Sequence, residues 1–137
     1  MESKDLMLGD WVDVNGLPSQ VFELAYNKNE KEMTIGILDP QGEIYSCFEG
    51  YDHVAPIPLT DEILEKNGLV LEDEFGYSAF ALHFMEDKNL DLELSKSESG
   101  FWCWSISCDE YCVVQLHYVH QLQHALRLCG IEKDIEL

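Results

Sequence analysis

Three histidines and three cysteines towards the end of the chain have the types and spacing that come closest to a chemical site. The histidines are His117, His120 and His124, and the cysteines upstream are Cys103, Cys108 and Cys112. On a continuous helix, residues 117 and 124 would point within about 20° of each other, with residue 120 about 60° away. Three imidazoles on one polar face predict a site for zinc, nickel or copper, to which thiolates would add soft ligands.

The same residues match established metal and nucleophile motifs poorly. The cysteines lack a Cys-x-x-Cys knuckle, and no glutamate stands between His117 and His120 to act as a base. A nucleophile pair of Cys103 or Cys112 with His117 or His120 would need a stabilised thiolate, which an acidic background disfavours. Histidines on a polar helix face are usually solvated. We therefore expect no catalytic residue and no cofactor, and keep zinc on the three histidines as the alternative.

An aromatic group offers a predicted interaction surface. Trp102 and Trp104 fall on one face of a predicted strand, and Tyr111 lies on the next strand. Aromatic side chains are enriched at interface hot spots, so the three could form a ligand platform or a partner surface. The competing interpretation is that they belong to the core, which is the more frequent place for large apolar side chains.

Acidity is the most unusual property of the composition. The chain of 137 residues has 27 acidic and 8 basic side chains, a formal net charge of −19. Such a chain repels phosphate, so direct binding to nucleic acid or to an anionic membrane is disfavoured. Acidic residues spread along the chain are typical of a soluble protein. A cationic partner and mimicry of DNA are the alternative, more specific explanations of the acidity. With no run of ~20 apolar residues and no secretory signal, we expect a cytoplasmic protein with reduced cysteines.

The elements that would position these residues predict an α+β fold. Short strands over residues 9–14, 21–26, 33–38 and 44–48, separated by turns, predict a small antiparallel SH3-like β-barrel in residues 1–58. Residues 59–137 are predicted to form an α+β subdomain that packs on it, with a short helix, a β-meander and a longer C-terminal helix. A single compact domain is the alternative.

Two helices are predicted in the second half. Thr60 caps a helix over residues 61–67, with Leu59 and Leu64 as its hydrophobic staple. A second helix is predicted over residues 117–129. Its apolar face would hold Tyr118, Val119, Leu122, Ala125, Leu126 and Cys129, and its polar face His117, His120, Gln121, Gln123, His124 and Arg127.

Three segments carry a family resemblance. They are Leu8-Gly9-Asp10-Trp11-Val12, the proline segment over residues 56–60 with the helix that follows, and Tyr118-Val119-His120-Gln121-Leu122-Gln123. In this order they resemble a family of small uncharacterised proteins of Bacteroides and related gut bacteria, often encoded in prophages or other mobile elements. The resemblance implies a bacterial cytoplasmic setting and an accessory role, and it transfers no catalytic residue.

The sequence therefore predicts a non-enzymatic interaction module. It would bind another protein, or a second copy of itself, through its β-rich half. One alternative is a small metal-binding protein or metal-dependent enzyme that uses the three histidines. Another is a DNA mimic that inhibits a DNA-binding protein, since an acidic surface would compete with DNA for it.

Overall fold

The computed structural model describes residues 1, 3–48, 53–74, 77–83, 91–98, 100–107 and 110–137. Within these ranges, the side chains of residues 3, 48, 72–83, 91 and 104–113 lie outside the description. The described residues form two five-stranded antiparallel sheets and two helices, which confirms the predicted α+β class. The chain divides into two compact units, Met1–Ile57 and Pro58–Leu137. That residues 1–58 and 59–137 are separate subdomains stays a prediction, with a single compact domain as the alternative.

The first unit is a meander whose fifth strand returns to pair with the first. The strands are arranged in the order β4-β3-β2-β1-β5. Asn15 and Gly16 both have positive φ, as a two-residue hairpin turn requires. Among the described residues, no pairing joins β4 to β5, so a closed barrel is not observed. The strands are β1 (Trp11–Val14), β2 (Leu17–Asn27), β3 (Glu32–Leu38), β4 (Ile44–Phe48) and β5 (Val54–Pro56).

The core of the first unit lies on one side of its sheet. Every second residue of β1 is buried, and β3 buries Ile35 and Ile37 on the same side. The buried cluster consists of Leu6, Val12, Val14, Val21, Ile35, Ile37 and Val54. On the opposite side of the sheet, Phe22 and Ile44 are exposed, whereas Trp11 and Leu38 are half-buried. The short strand β5 was not predicted, because three residues are too few to show an alternating pattern.

The second unit contains both helices and a meander of five strands. The order β10-β9-β8-β7-β6 follows the chain, as expected for hairpins in succession. The sequence predicts four strands of this meander, near residues 80–84, 90–94, 101–106 and 111–116, whereas β6 was missed because acidic residues fill its second half. The elements are α1 (Asp61–Lys66), β6 (Val70–Glu74), β7 (Tyr77–His83), β8 (Asp91–Ser97), β9 (Gly100–Ser107), β10 (Glu110–Leu116) and α2 (Val119–Leu128).

The short helix α1 confirms its sequence prediction closely. The Thr60 hydroxyl accepts a hydrogen bond from the Ile63 N–H at 3.3 Å, which caps the first turn. Leu59 and Leu64 are both buried, as a hydrophobic staple requires. The helix ends one residue earlier than predicted, at Lys66.

The C-terminal helix α2 begins two residues later than predicted. Tyr118 has extended backbone dihedrals and serves as the N-cap, so His117 lies outside the helix. The Gln121 side-chain oxygen accepts hydrogen bonds from the N–H groups of His117 and Tyr118, at 2.8 and 3.2 Å. These bonds satisfy backbone donors that would otherwise be exposed at the strand-to-helix junction.

The segment after α2 is held by one buried amide. Asn67 follows α1 and is 4% exposed. Its side-chain NH₂ donates to the carbonyl oxygens of Ile63 and Glu136, at 2.8 and 2.7 Å, and its oxygen accepts from the Glu136 N–H at 2.8 Å. Ile131 and Ile135 of this segment are buried. None of the helices in the described ranges is long and apolar enough to cross a membrane.

Candidate functional site

A surface groove of about 490 Å³ lies in the second unit and contains one predicted metal ligand, His117. Its wall is built from the segment before α1, the first turn of α1, the β8–β9 hairpin and the β10–α2 connection. Pro58 forms an isolated bridge with Tyr118, and the Leu59 N–H donates to the His117 carbonyl oxygen at 2.9 Å. These backbone contacts bring the segment before α1 and the β10–α2 connection together at the groove.

Two polar side chains of the groove are already bonded within the fold. The Lys96 ammonium lies 2.8 and 3.1 Å from the two carboxylate oxygens of Asp61. The Ser97 hydroxyl donates to the Gly100 carbonyl oxygen at 3.1 Å. These bonds tie the β8–β9 hairpin to itself and to α1.

The Lys96–Asp61 ion pair is expected to contribute little to stability. The two side chains are 65% and 38% exposed, so water and salt screen their attraction. Lys96→Ala should change the free energy of unfolding by less than about 0.5 kcal/mol. Urea denaturation of the two proteins at low and high salt measures this difference. A loss well above about 1 kcal/mol would show that the groove depends on the pair.

The predicted alignment of His117 with the helix histidines is wrong. The helical-wheel geometry applies only inside a helix, and α2 begins at Val119. His117 instead lies against the backbone of β9: a Cβ atom added to Gly100 would stand 2.8 Å from the His117 Nδ1 atom. The three imidazoles therefore do not share a helix face.

The predicted polar face of α2 is also wrong for two residues. His120 and Gln123 are only 5% and 7% exposed. The His120 ring stacks on Tyr118 at a centroid distance of 5.8 Å, and His124 meets it edge-on at 5.7 Å. Aromatic stacking gives the His120 ring partners inside the protein. Helical periodicity does not report such contacts, because it uses only the polarity of each residue type.

The described side chains do not assemble a metal site. Among them, no group of three or more His, Cys, Asp or Glu could hold a metal ion. Cys103 is a buried, reduced thiol, whereas Cys108 and the side chain of Cys112 lie outside the description. Zinc binding by the three histidines and the Cys/His nucleophile pair therefore stay predictions.

The remaining cysteines are half-buried, reduced thiols. They are Cys47 on β4 and Cys129 after α2. Burial raises the pKa of the Cys47 thiol above its ordinary value of 9.0, so this thiol stays protonated at neutral pH. A protonated thiol is a poor nucleophile. Cys47 therefore has the character of a small apolar side chain.

The predicted aromatic surface is described in part. Trp102 is 41% exposed, whereas its neighbours Phe101 and Cys103 are buried. Trp104 pairs with Val113 in the sheet register, but its side chain and that of Tyr111 lie outside the description. For Trp102, the core interpretation is wrong. An interaction surface shared by all three aromatic residues stays a prediction.

A second exposed apolar surface lies on the solvent side of the first sheet. One row of paired positions crosses four strands, from Trp11 through Gln20 and Leu38 to Ile44. Ile44 is 63% exposed and Phe22, beside this row, is 39% exposed. We call this surface, formed by the exposed Phe22 and Ile44 and the half-buried Trp11 and Leu38, the Phe22 face. This surface was not predicted from the sequence, for which the predicted interaction surface consisted of aromatic residues in the second half.

A β-bulge places Phe22 on this face. The β2–β3 register shifts between Val21 and Glu23, so Phe22 is the extra residue and Glu23 pairs with Gly36. A Cβ atom added to Gly36 would lie 2.7 Å from the Phe22 ring and 2.8 Å from the Glu23 Cβ atom. The ring therefore lies directly over the glycine. Bulges redirect side chains in this way, often near functional sites.

The signal that could have revealed this arrangement is Gly36. A glycine inside a strand weakens it and often marks a bulge or the close approach of another group. The sequence Thr34-Ile35-Gly36-Ile37 otherwise has the composition of a central strand. Strict alternation along β2, in contrast, groups Phe22 with Leu24 and Tyr26 and hides the bulge.

Comparisons with known proteins give no assignment. No protein-family model, no curated protein and no solved structure matches the chain. Membership of the Bacteroides family therefore stays a prediction.

Proposed function

We propose that the protein is a non-enzymatic interaction module that binds a partner protein through the Phe22 face of its first unit. The observation that carries this proposal is the Phe22 ring, placed over Gly36 by a β-bulge and still 39% exposed. A chain gains no core packing from apolar side chains that stay in solvent. An exposed, positioned aromatic ring among apolar neighbours is typical of interface hot spots.

The charge of the molecule favours a basic partner. The chain has 27 acidic residues against 8 basic ones. Asp13 and Glu23 accompany the Phe22 face, and none of its described positions is a lysine or arginine. Charge complementarity of this kind raises the rate of association and selects against acidic partners. The complex should therefore weaken as salt concentration rises.

We also propose a fold for the first unit, a cellular setting and a kind of partner. The strand order β4-β3-β2-β1-β5 supports an SH3-like first unit, a fold class common among binding modules. The setting would be the cytoplasm of a bacterium, with an accessory role in a prophage or mobile element, as the family resemblance implies. The partner could itself be a DNA-binding protein, in which case DNA would compete with this chain for it.

Capture from a lysate of the protein's own cell tests the proposal with matched variants. Ile44→Ser removes an apolar side chain that is 63% exposed on the Phe22 face. Leu128→Ser removes one that is 89% exposed on α2 and serves as the control. Both variants should fold normally, because each side chain is exposed in the folded protein. A protein retained by the wild type and by Leu128→Ser should be lost with Ile44→Ser.

The affinity of the recovered partner for each variant then measures how much the Phe22 face contributes to binding. Ile44→Ser should weaken binding at least about tenfold, since truncation of a hot-spot residue costs more than about 1 kcal/mol. Leu128→Ser should leave the affinity unchanged. Equal affinities for all three proteins would exclude the Phe22 face as the binding surface.

A further inference from the structure

The strand β4 is the least protected sheet edge in the described part of the chain. Ile44–Phe48 contains neither a charge nor a proline. Two other edge strands are guarded, since β5 is three residues long and ends at Pro56 and β6 has three carboxylates in Val70–Glu74. The edge strand β10 has a single charge, Glu110 at its first residue. Proteins protect edges with short strands, prolines and charges because unpaired backbone groups attract another strand. The open edge of β4 is therefore a place where a strand can be added.

The hydrogen-bond pattern of the β3–β4 hairpin shows which groups that strand would meet. The Asp39 N–H donates to the Glu43 carbonyl oxygen at 3.0 Å and closes the hairpin. Bonded and non-bonded pairs alternate along an antiparallel ladder. Tyr45 therefore exchanges hydrogen bonds with β3, whereas the N–H and C=O groups of Ile44 and Ser46 point to the open edge.

An added strand would extend the Phe22 face. Ile44 pairs with Leu38, and Ser46 pairs with Gly36, over which the Phe22 ring lies. Side chains of an added strand that stand beside Ile44 and Ser46 would therefore lie on this same surface. Main-chain hydrogen bonds would supply affinity, and alternate side chains would supply specificity.

Charge decides between two occupants of the edge, a second copy and a different protein. Glu43 and Glu49 stand immediately before and after β4 in the sequence. Two copies paired at this edge would bring together chains that each have a formal net charge of −19, and like charges repel each other. A segment with a basic residue at each end would instead be attracted.

We propose that β4 accepts an extended basic segment of the partner protein as an added strand. The segment has apolar residues at alternate positions and a lysine or arginine at each end. This inference rests on the proposed function, because it states how the partner reaches the Phe22 face.

A designed peptide tests the inference with the full chain. The probe is Lys-Val-Thr-Val-Thr-Val-Lys with blocked ends, and its binding is followed by the amide NMR signals of the protein. One control peptide has N-methyl groups on alternate residues, which remove donors from the added strand. A second control has glutamate at both ends. The protein variant Ser46→Pro removes an outward N–H group, and its own spectrum reports whether it remains folded.

The basic peptide is expected to shift the amide signals of Ile44 and Ser46, with binding weakened at least about tenfold by N-methylation and by the glutamate ends. The Ile44→Lys variant, which places a charge on the edge, should weaken binding similarly and serves if Ser46→Pro does not fold. Absence of binding at about 1 mM peptide would overturn the inference. Equal binding of the N-methylated peptide would also overturn the inference. So would the finding that the chain forms a dimer and that Ile44→Lys abolishes this dimer.

Failure of this inference can be told apart from failure of the proposed function. If the partner is lost with Ile44→Ser but the N-methylated peptide binds as well as its parent, the Phe22 face binds without strand addition. If the partner is retained by Ile44→Ser, the proposed function itself is wrong.

Discussion

Replacing Gly36 by alanine is expected to lower the free energy of unfolding by about 1–3 kcal/mol, which is typical of an overpacked site. The new Cβ atom would lie 2.7 Å from the Phe22 ring and 2.8 Å from the Glu23 Cβ atom. The ring could rotate away, but the Glu23 Cβ atom is fixed by the backbone, so β2 must move. Urea denaturation followed by circular dichroism measures the loss.

A double mutant separates the two contacts of Gly36. In the Phe22→Ala background, Gly36→Ala should cost less, because the closer of the two obstructing groups is gone. The expected coupling free energy is about 0.5–3 kcal/mol, as found for residues in contact. Strictly additive effects would contradict the placement of the ring over Gly36. Because the substitution displaces Phe22, Gly36→Ala should also weaken partner binding.

Asn67→Ala is expected to lower the free energy of unfolding by about 2–3 kcal/mol, because it removes three hydrogen bonds at a buried position. The amide bonds to both the carbonyl oxygen and the N–H of Glu136, and to the carbonyl oxygen of Ile63. After the substitution the N–H and C=O groups of Glu136 lose these bonds, whereas the Ile63 carbonyl oxygen still accepts from the Asn67 backbone N–H at 3.1 Å. Thermal unfolding followed by circular dichroism measures the effect.

Two further readouts make the Asn67 prediction specific. The Glu136 amide should exchange its hydrogen faster in Asn67→Ala, since it loses its acceptor. Asn29→Ala is the matched control, because Asn29 is exposed and its backbone N–H, which the substitution keeps, donates to the Asn27 side-chain oxygen at 3.0 Å. The control should change stability by less than about 0.5 kcal/mol. Unchanged exchange at Glu136 would show that the segment after α2 is held by other contacts.

The parts of the fold that the sequence predicted are those with local signals. Helix α1 has its cap, its staple residues and its first-turn carboxylates within a few positions, so its prediction was accurate to one residue. The turn at Asn15-Gly16 has a similarly local cause. In contrast, β5 and the C-terminal contacts of Asn67 depend on residues far away in the chain. Composition and periodicity carry no information about such partners.

The start of α2 shows why the predicted metal site lost its geometric basis. The apolar periodicity of the helix extends to Tyr118, but Tyr118 is extended because Gln121 bonds back to its N–H. Because α2 begins two residues later than predicted, His117 lies outside the helix. Site predictions from helical spacing are sensitive to such shifts, because each residue rotates the face by about 100°.

The candidate binding surface was hidden for a different reason. A bulge changes the side of the sheet on which the following residues lie, so alternation alone does not assign them to a face. In β2 the bulge coincides with two adjacent apolar residues, Val21 and Phe22, and Gly36 on the partner strand was a second signal. Exposure of Ile44 could not be predicted either, since an apolar residue in a strand of mixed composition is usually assigned to the core.

The most direct test of the account is hydrogen–deuterium exchange of the chain, alone and saturated with the partner recovered by capture. If the partner binds the Phe22 face and adds a strand to β4, the amides of Ile44 and Ser46 should exchange more slowly in the complex. The amides of β9 around Trp102 should be unchanged. Protection confined to β9, or to the groove beside His117, with β4 unaffected, would contradict the account and move the binding surface to the second unit.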